Sequence, residues 1–455
     1  MDKPPPPREY YFVSDLHLGG DGQLQYCDYA SEFIDFLRLL EAKGPATELI
    51  LVGDTFGLWE VTALEGVAKL DAIIASHRAI FRQFKATGAK IRITLAVGNH
   101  DYDLACDPAF AAHLREYNLH VENKAAFTRS IGDRKIWIEH GQQTDGFNAS
   151  RDYGNPHALP IGYFITQTII GEACRFSAFG RGHWMKDIRS VRTTEIPAWL
   201  LSNYIYRELS MVMTCMVVTL GMLFTLGTGA ALAAGLHMAG VADLSIFRES
   251  PFASWLGSAG SLLKAGLAID ALILTFLGLI ALPLRAVLRD VVTGIRRFRT
   301  LARERCHYDP ASPEPYLRRA REVFKQNQDV GIYVFGHTHD ALLVREGDKV
   351  VLNTGTWLKI LRRVPSWLPL LPAVYYPSFR LNYFQVTEEG SEVVIRYAEI
   401  AKTAPHELNW LQRLATWGRS LDPPRSIPRE TRIELNAGNF PNARSAASLV
   451  EPELP

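Results

Sequence analysis

One stretch near the middle of the chain restricts the possible folds more than any other feature. Residues 209–242 contain no Lys, Arg, Asp or Glu, and about 20 apolar residues in helical form are enough to cross a bilayer. A second apolar run, residues 265–284, is long enough to return, although it contains Asp270. The two runs predict a transmembrane helical hairpin over residues 208–284. The alternative is a buried helical pair inside a large soluble protein.

The charges around this hairpin predict its orientation. A series of arginines follows the second run closely, whereas the connecting loop is nearly uncharged. The series comprises Arg285, Arg289, Arg296, Arg297, Arg299, Arg303 and Arg305. Because basic residues accumulate on the cytoplasmic side of membrane helices, both outer ends of the hairpin are expected in the cytoplasm. Two further features fit that side: the N-terminal residues lack the apolar core of a signal peptide, and the scattered cysteines form no C-x-x-C pair.

Outside the hairpin, short β-rich runs alternate with helical stretches. Strands are predicted at residues 10–13, 48–52, 91–97, 135–139, 330–335, 350–352, 380–386 and 392–397. Helices are predicted at residues 29–42, 67–86, 108–117 and 313–326. This alternation predicts an α/β layered fold, in which the region after residue 350 completes a second sheet.

Side chains suited to metal binding follow five of these strands. The fragments are Asp15-Leu-His17, Gly53-Asp54, Gly98-Asn99-His100-Asp101, His140-Gly141 and Gly336-His337-Thr338-His339. One such fragment alone is more often an ordinary turn, but five such fragments at strand ends are not expected by chance. Ligands of open α/β folds gather outside the carboxyl ends of strands. Carboxylate, imidazole and amide groups without thiolates favour Mn²⁺, Fe or Zn²⁺.

This ordered series resembles the calcineurin-like metallophosphoesterase superfamily over roughly residues 10–140 and 330–400. The resemblance implies a two-sheet αββα core, interrupted here by the hairpin, and two divalent metal ions, with Mn²⁺ expected first. By that resemblance, one metal is held by Asp15, His17 and His339, the second is held by Asn99, His140 and His337, and Asp54 bridges the two.

His100 lies beside the implied ligands without being one of them. An imidazolium at this position can stabilise or protonate the leaving oxygen, and Asp101 is predicted to orient it. The alternative for both is a turn residue without a chemical role. The glycines next to the motifs, Gly53, Gly98, Gly141 and Gly336, are predicted to let the backbone approach the metals closely.

The pattern divides the chain into six parts. They are a first part of the core (1–156), a cap or membrane-surface segment (157–207), the transmembrane hairpin (208–284), a basic juxtamembrane linker (285–310), a second part of the core (311–400) and a C-terminal helix with a disordered tail (401–455). Trp59 is predicted to line a substrate groove or to pack in the core. The loop residues Arg151, Asp152, Tyr153 and His157 are candidates for substrate contact, or for an ordinary loop.

The predicted activity is metal-dependent hydrolysis of a phosphate ester or pyrophosphate. The hairpin predicts an integral membrane protein with a cytoplasmic catalytic domain, and this location favours a lipid-linked substrate. The predicted nucleophile is a metal-activated hydroxide. Phe12–Leu18 and Gly53–Trp59 are also similar to the bacterial UDP-diacylglucosamine hydrolases, a family with Arg where this chain has His100. Alternatives are a tethered phosphodiesterase or protein phosphatase acting on a soluble substrate, and a catalytically idle membrane interaction protein. A net charge of +1 argues against nucleic acid as a partner. The sequence leaves the oligomeric state open.

Overall fold

The computed structural model describes most of the predicted core and part of the predicted hairpin. The described residues are 8–170, 184–191, 195–241, 261, 264–278, 312–368, 371–402, 408–419 and 427–434. The predicted basic linker, the loop between the two apolar runs and the residues after 434 lie outside this part of the chain.

Alternating short strands and helices make up the described chain. The strands are β1 Glu9–Val13, β2 Thr47–Val52, β3 Arg92–Ala96, β4 Leu119–Glu122, β5 Ala126–Ile131, β6 Arg134–Glu139, β7 Val330–Phe335, β8 Leu342–Glu346, β9 Lys349–Asn353, β10 Ile360–Val364, β11 Val374–Ser378, β12 Leu381–Glu389, β13 Glu392–Ile400 and β14 Glu430–Glu434. The α-helices are α1 Ala30–Glu41, α2 Val67–Ser76, α3 Arg78–Gly88, α4 Asp103–Cys106, α5 Pro108–Leu114, α6 Ile161–Ile165, α7 Ile196–Asn203, α8 Ser210–Met238, α9 Glu314–Gln326 and α10 Trp410–Ala415. Short 3-10 and π turns occur at Gly22–Gln25, Arg115–Tyr117, Gln142–Thr144, Thr166–Ile170, Trp184–Ser190 and Tyr204–Glu208.

Two large sheets form the core. The first has the order β14-β13-β12-β1-β2-β3-β4, and its strands β1 to β4 are parallel. The second has the order β5-β6-β7-β9-β8, with β6, β7 and β9 parallel. Because β6 precedes the hairpin region and β7 follows it, the second sheet is assembled from both sides of the insertion.

The two sheets pack face to face over an apolar core. Phe12 and Val52 of the first sheet are fully buried in the same cluster as Ile138 and Val334 of the second. Helices α1 to α3 cover the outer face of the first sheet, and α9 covers the outer face of the second. The layers therefore follow the αββα order that the resemblance implies, and a mixed α/β fold with several sheets is confirmed.

Two local expectations need correction. The helix predicted at residues 67–86 is two helices, because the backbone at His77 leaves the helical region (φ −118°, ψ 35°). The tail predicted at the C-terminus contains a strand, β14, which pairs antiparallel with β13. Its Ile433 is buried in the core between the sheets, and this apolar contact gives β14 a place in the fold.

The long apolar helix differs from every other helix described. Val218–His237 is the one helix in the described residues that is long and apolar enough to cross a membrane, and only 11% of its residues are buried. Residues 264–278 are also helical, and Asp270 accepts a hydrogen bond from the Thr228 hydroxyl at 2.9 Å. Most of the chain that flanks this second helix in sequence lies outside the described residues, so the hairpin as a whole stays a prediction.

Candidate metal centre

The five predicted motifs come together at one edge of the two-sheet core. They follow β1, β2, β3, β6 and β7 directly, and backbone hydrogen bonds join the loops that carry them. The amide of Asp15 donates to Gly53 O at 3.2 Å, and that of His17 donates to Asp54 O at 2.9 Å. Across the second sheet, the amide of Gly336 donates to His140 O at 2.8 Å. The parallel strands therefore deliver all five loops to the same place.

The backbone at these loops adopts a rare conformation. Asp15, His17, Asp54, His337 and His339 have φ between 47° and 67°. Asn118 is the one other non-glycine residue with a positive φ in the part of the chain described here. Such left-handed conformations are costly for residues with a Cβ and cluster at functional sites. The backbone is therefore strained at five of the seven predicted ligands, and strain of this kind is typical of functional sites.

The first group of predicted ligands converges on a point between Asp15, His17 and His339. His339 Nε2 lies 3.2 Å from Asp15 Oδ1 and 3.2 Å from His17 Nε2. The remaining pair, His17 Nε2 and Asp15 Oδ1, is 3.9 Å apart. Burial, together with the nearby His100, holds the pKa of His17 well below its usual value. A neutral imidazole has a free lone pair, which is the form that binds a metal ion.

Asp54 lies between this group and a second one. Its Oδ2 is 3.7 Å from His17 Nε2 and 3.2 Å from His140 Nε2. Possible ligand atoms of Asp54, His140 and His337 all lie within 4.8 Å of one another. A single carboxylate oxygen therefore faces both groups, as expected for a ligand shared by two cations.

The carboxylates of Asp54 and Asp15 each use one oxygen to bind a neighbouring loop, and the other oxygen points toward the centre. Asp54 Oδ1 accepts the backbone N–H of His100 at 2.8 Å, and Asp15 Oδ2 accepts that of His337 at 3.1 Å. Asp15 Oδ1 and both polar atoms of the Asn99 side chain are buried without a hydrogen bond. Buried polar atoms without partners are costly. The donor set of oxygen and imidazole nitrogen atoms fits divalent cations such as Mn²⁺, Fe or Zn²⁺.

Three of the four glycines predicted beside the motifs permit a close approach. A Cβ at Gly53 would collide with the His140 ring, whereas a Cβ at Gly141 would make only ordinary contacts at 3.4 Å or more. A Cβ at Gly98 would collide with the Asp54 carboxylate, and a Cβ at Gly336 would lie 2.7 Å from Asp15 Oδ2. At both positions a larger residue would displace a predicted ligand, because contacts below 3.0 Å force a shift of the neighbouring atoms.

Two of the histidines are oriented by partners outside the ligand set. His140 Nδ1 lies 2.7 Å from Val52 O, and His337 Nε2 lies 2.9 Å from Asp145 Oδ2. Such contacts fix the tautomer and leave the other ring nitrogen for a metal. Asp145, which is buried, contacts a predicted ligand, and the sequence analysis missed it. Its position soon after the His140-Gly141 motif was the available signal.

Glu60 is the second missed residue, and it is the partner of His100. Its Oε1 lies 2.9 Å from His100 Nδ1, and its carboxylate is almost completely buried. Burial by itself would lower the pKa of His100, but the Glu60 and Asp54 carboxylates outweigh burial and raise this pKa to about 9. These two carboxylates favour the protonated form of His100, which suits a proton donor. Glu60 directly follows Trp59, the last residue of a motif that sequence analysis recognised.

The role predicted for Asp101 needs correction. Its carboxylate accepts backbone N–H groups from Thr55 at 2.8 Å and from Gly98 at 2.6 Å. These bonds join the loop after β2 to the loop after β3, which carry Asp54 and Asn99. Among the described residues, the side chain that orients the His100 ring is Glu60, and Asp101 orients the two loops.

The segment predicted as a cap or a membrane surface packs on the loops of the centre. The guanidinium of Arg189 donates to His17 O at 2.5 Å, Gly19 O at 2.9 Å, Leu24 O at 2.9 Å and Tyr26 O at 3.2 Å. Earlier in the same segment, Gln167 Nε2 donates to Trp59 O at 2.6 Å. The described part of this segment is therefore a support for the metal-centre loops.

The remaining candidates lie to one side of the centre. Trp59 is buried, with its ring centroid 4.8 Å from that of His100 and 5.6 Å from that of Tyr163, which fits the packing role. Tyr153 packs against Tyr102. Arg151, Asp152 and His157 are exposed loop residues, and within the described residues no hydrogen bond or ion pair joins their side chains to the predicted ligands.

Known proteins support the chemistry that this geometry indicates. Residues 10–169 match the model of the calcineurin-like phosphoesterase family. This match supports a metal-dependent hydrolase acting on phosphoric esters, and it covers the motifs after β1, β2, β3 and β6. No curated protein matches the chain.

Two solved structures of Vps29 from Entamoeba histolytica, a double mutant and a single mutant, also resemble the chain. They share 8% and 10% sequence identity with it, at TM-scores of 0.27 and 0.25, and each alignment covers 94% of this chain and 99% of that chain. Those scores are too low to bear on fold or function. Nothing in these matches bears on the finer resemblance to the UDP-diacylglucosamine hydrolases.

Proposed function

We propose that this protein is a membrane-anchored phosphoesterase that uses two divalent metal ions to hydrolyse a lipid-linked phosphate ester or pyrophosphate at the cytoplasmic face. The observation that carries the hydrolytic part is the position of Asp54. Its buried carboxylate presents one oxygen to His17 and to His140, so the two ligand groups share it.

The proposed ligands are the seven residues of the strand-end motifs. Asp15, His17 and His339 would hold one cation, Asn99, His140 and His337 would hold the other, and Asp54 would hold both. Two such cations supply Lewis acidity toward phosphate oxygens and lower the pKa of a water molecule, which makes a nucleophile available at neutral pH.

The chain itself contributes a proton donor and its orientation. The buried Glu60 carboxylate favours the protonated form of His100, and a protonated His100 would give its proton to the leaving oxygen as the ester bond breaks. The ring of Trp59 packs on His100 and restricts its position. Asp101 holds the loops of Asp54 and Asn99 together through backbone N–H groups.

The exposed apolar helix supports the membrane and lipid parts of the proposal. Leu226 and Leu232, in the middle of this helix, are 68% and 63% exposed. A helix that is apolar on all sides and unburied in its own protein requires a cover, and lipid tails provide one. The helix follows, along the chain, the segment that contacts His17 through Arg189, so one insertion carries both the apolar helix and a contact to the centre.

A second candidate function is a tethered phosphodiesterase or protein phosphatase with a soluble substrate. The observation that favours it is the support role of residues 184–190, because a segment that only braces the loops offers no surface for a lipid. Under this reading, the helix anchors the protein and does not take part in substrate selection.

The first test is hydrolysis of bis(4-nitrophenyl) phosphate by detergent-purified protein that has been stripped of metal and titrated with Mn²⁺. We expect turnover that depends on Mn²⁺, with about two metal ions bound per chain. Asp54→Asn is expected to lose both metals and at least roughly a thousandfold in turnover. The matched control is Asp35→Asn, at an exposed position on α1, which should behave like the wild-type protein.

The same measurements separate the alternatives. Loss of a single metal in Asp54→Asn contradicts the shared-ligand assignment. A protein that binds metal but hydrolyses neither the nitrophenyl ester nor lipid-linked phosphates would be the idle interaction protein. Equal rates on soluble and lipid-linked pyrophosphates in vesicles would favour the tethered enzyme.

A further inference from the structure

Three tryptophans of the C-terminal region are exposed, in contrast to the other described tryptophans. Trp367, Trp410 and Trp417 expose 48%, 44% and 75% of their surface. The tryptophans of the core, such as Trp59 and Trp357, are almost completely buried. An exposed tryptophan places a large apolar ring in water, so three of them near one another indicate a surface that is covered in the functional protein.

These tryptophans are held together around α10. Trp367 donates its backbone N–H to Ala415 O at 3.1 Å and its indole N–H to Leu414 O at 2.5 Å. Trp410, Arg413 and Trp417, the last of which lies in the turn after α10, are all exposed. Leu411 and Ala415 of α10 are buried and pack with Tyr206 and Val374. We call Trp367, Trp410, Arg413, Trp417 and Arg419 the C-terminal platform.

The C-terminal platform is joined directly to the start of the apolar helix. The indole N–H of Trp410 donates to Thr214 Oγ1 at 3.1 Å. Thr214 lies four residues before the apolar span that begins at Val218, which is about 6 Å along a helix axis. Two further bonds hold the same region: the Asn409 side chain donates to Tyr206 O, and the Tyr206 hydroxyl donates to Pro372 O at 2.8 Å.

The two segments that form the C-terminal platform carry only positive charge. Residues 360–378 and 408–419 contain no Asp or Glu, and they contain Arg362, Arg363, Arg413 and Arg419. Arg363, Arg413 and Arg419 are exposed. Among the described residues none of these three forms an ion pair. Surfaces rich in tryptophan and arginine and poor in acidic residues are typical of protein segments at the headgroup level of membranes with anionic lipids.

We propose that the C-terminal platform docks on the headgroup region of a bilayer that contains anionic phospholipid. The tryptophans enter the interface beside the first turns of the apolar helix, and the arginines contact lipid phosphates. The catalytic core is thereby held at a fixed tilt against the bilayer by a second contact, in addition to the helix. This inference rests on the membrane location in the proposed function, but it does not depend on hydrolysis.

The test uses the full-length protein in vesicles of phosphatidylcholine with phosphatidylglycerol, in which part of the lipid carries bromine. Bromine quenches tryptophan emission on contact. We expect lipid brominated near the headgroup, at carbons 6 and 7, to quench more strongly than lipid brominated at carbons 11 and 12. Trp417→Ser should reduce the quenched emission, and Trp410→Ser with Trp417→Ser should reduce it further. The matched control is Leu39→Ser, which replaces an exposed apolar residue on α1.

The arginines provide a second arm. Arg413→Gln with Arg419→Gln should weaken quenching in vesicles with phosphatidylglycerol and leave it unchanged in pure phosphatidylcholine. The control is Arg82→Gln, an exposed arginine of α3 that forms no ion pair with a described residue. Unchanged quenching in both tryptophan variants overturns the proposal. Equal quenching with and without anionic lipid overturns the role of the arginines.

Hydrolysis of a soluble nitrophenyl ester in the same vesicles separates this inference from the proposed function. The platform variants should hydrolyse the soluble ester at the wild-type rate, because none of these residues contacts the metal centre. Asp54→Asn should lose hydrolysis and keep the quenching. If quenching follows the expected pattern but the protein hydrolyses no ester, membrane docking of the C-terminal platform is supported and the proposed enzymatic function is contradicted. A platform covered by a second copy of the chain would give unquenched tryptophans and a dimer in detergent.

Discussion

The metal centre and the apolar helix are incomplete in opposite ways. In the metal centre, buried polar atoms such as Asp15 Oδ1 and the amide of Asn99 have no hydrogen-bond partner. In the apolar helix, side chains such as Leu226 lie exposed. Unpaired polar atoms in the interior and uncovered apolar atoms on the surface are both unfavourable in water. The proposed function supplies what each region lacks, cations in one case and lipid in the other.

This comparison also shows how differently the two regions are built. The centre depends on precise positions, with five ligands in left-handed backbone conformations and glycines where loops approach closely. The apolar helix depends on composition over its length and tolerates exchange among apolar residues. We expect single substitutions to separate the two, since each should affect one region and spare the other.

The largest expected effect is on the chemistry alone. His100→Gln should lower kcat for a nitrophenyl phosphodiester by about a thousandfold, because it removes the proton donor to the leaving oxygen. Metal content and membrane association should not change. His100 lies near His17 and Asp54 in a group that could itself hold a cation. Loss of one metal ion in this variant would therefore make His100 a ligand and contradict its role as an acid.

The next effect should fall on the membrane region alone. Leu226→Lys places a charge near the middle of the apolar helix, which costs about 3 kcal/mol in a bilayer. The fraction of protein that resists alkaline extraction of membranes should fall by roughly a hundredfold, while turnover of a soluble ester by the extracted protein stays unchanged. Leu39→Lys, at an exposed position of α1, is the control. Resistance to extraction in the Leu226 variant would mean that the helix does not cross the membrane.

A smaller effect should sharpen the account of the centre. Glu60 raises the pKa of His100, so the protonated, active form is present below this pKa and is lost as the pH rises through it. Glu60→Gln removes the carboxylate, and the alkaline limb of kcat should move to lower pH with a fall of roughly tenfold at the wild-type optimum. A fall in kcat by the same factor at all pH values would show that Glu60 affects only the packing of the site and not the pKa of His100.

The smallest effect should test the link between the two regions. Arg189, which lies in the insertion that leads to the apolar helix, holds the carbonyl oxygens of His17 and its loop. Arg189→Gln should weaken Mn²⁺ binding by about fivefold, less than removal of a direct partner of a ligand. Equilibrium dialysis of the metal-free protein measures this, with Arg82→Gln as the control. Unchanged affinity would mean that the insertion does not support the centre.

Much of the layered core could be predicted from the sequence, since buried parallel strands are nearly continuous apolar runs. The strand predicted at residues 330–335 has the bounds found in the structure, and those at residues 10–13 and 48–52 differ from it by one residue each. The segments after residue 360 were less predictable. The strands β10 and β11 pair with each other without having been predicted, and α10 packs on Tyr206, which is distant in the chain.

The sequence by itself determined which chemical groups stand at the ends of β1, β2, β3, β6 and β7, and that residues 209–242 are too apolar for an ordinary surface. Both are properties of local order: a strand followed by a ligand, and a run without charge. Only the tertiary structure decided the partners of those groups. Glu60 and Asp145 meet His100 and His337 because separate loops converge after the sheets pack, and Asp101 turns to backbone amides instead of the imidazole. Such pairings are set by the relative positions of loops in three dimensions, which no spacing along the chain encodes.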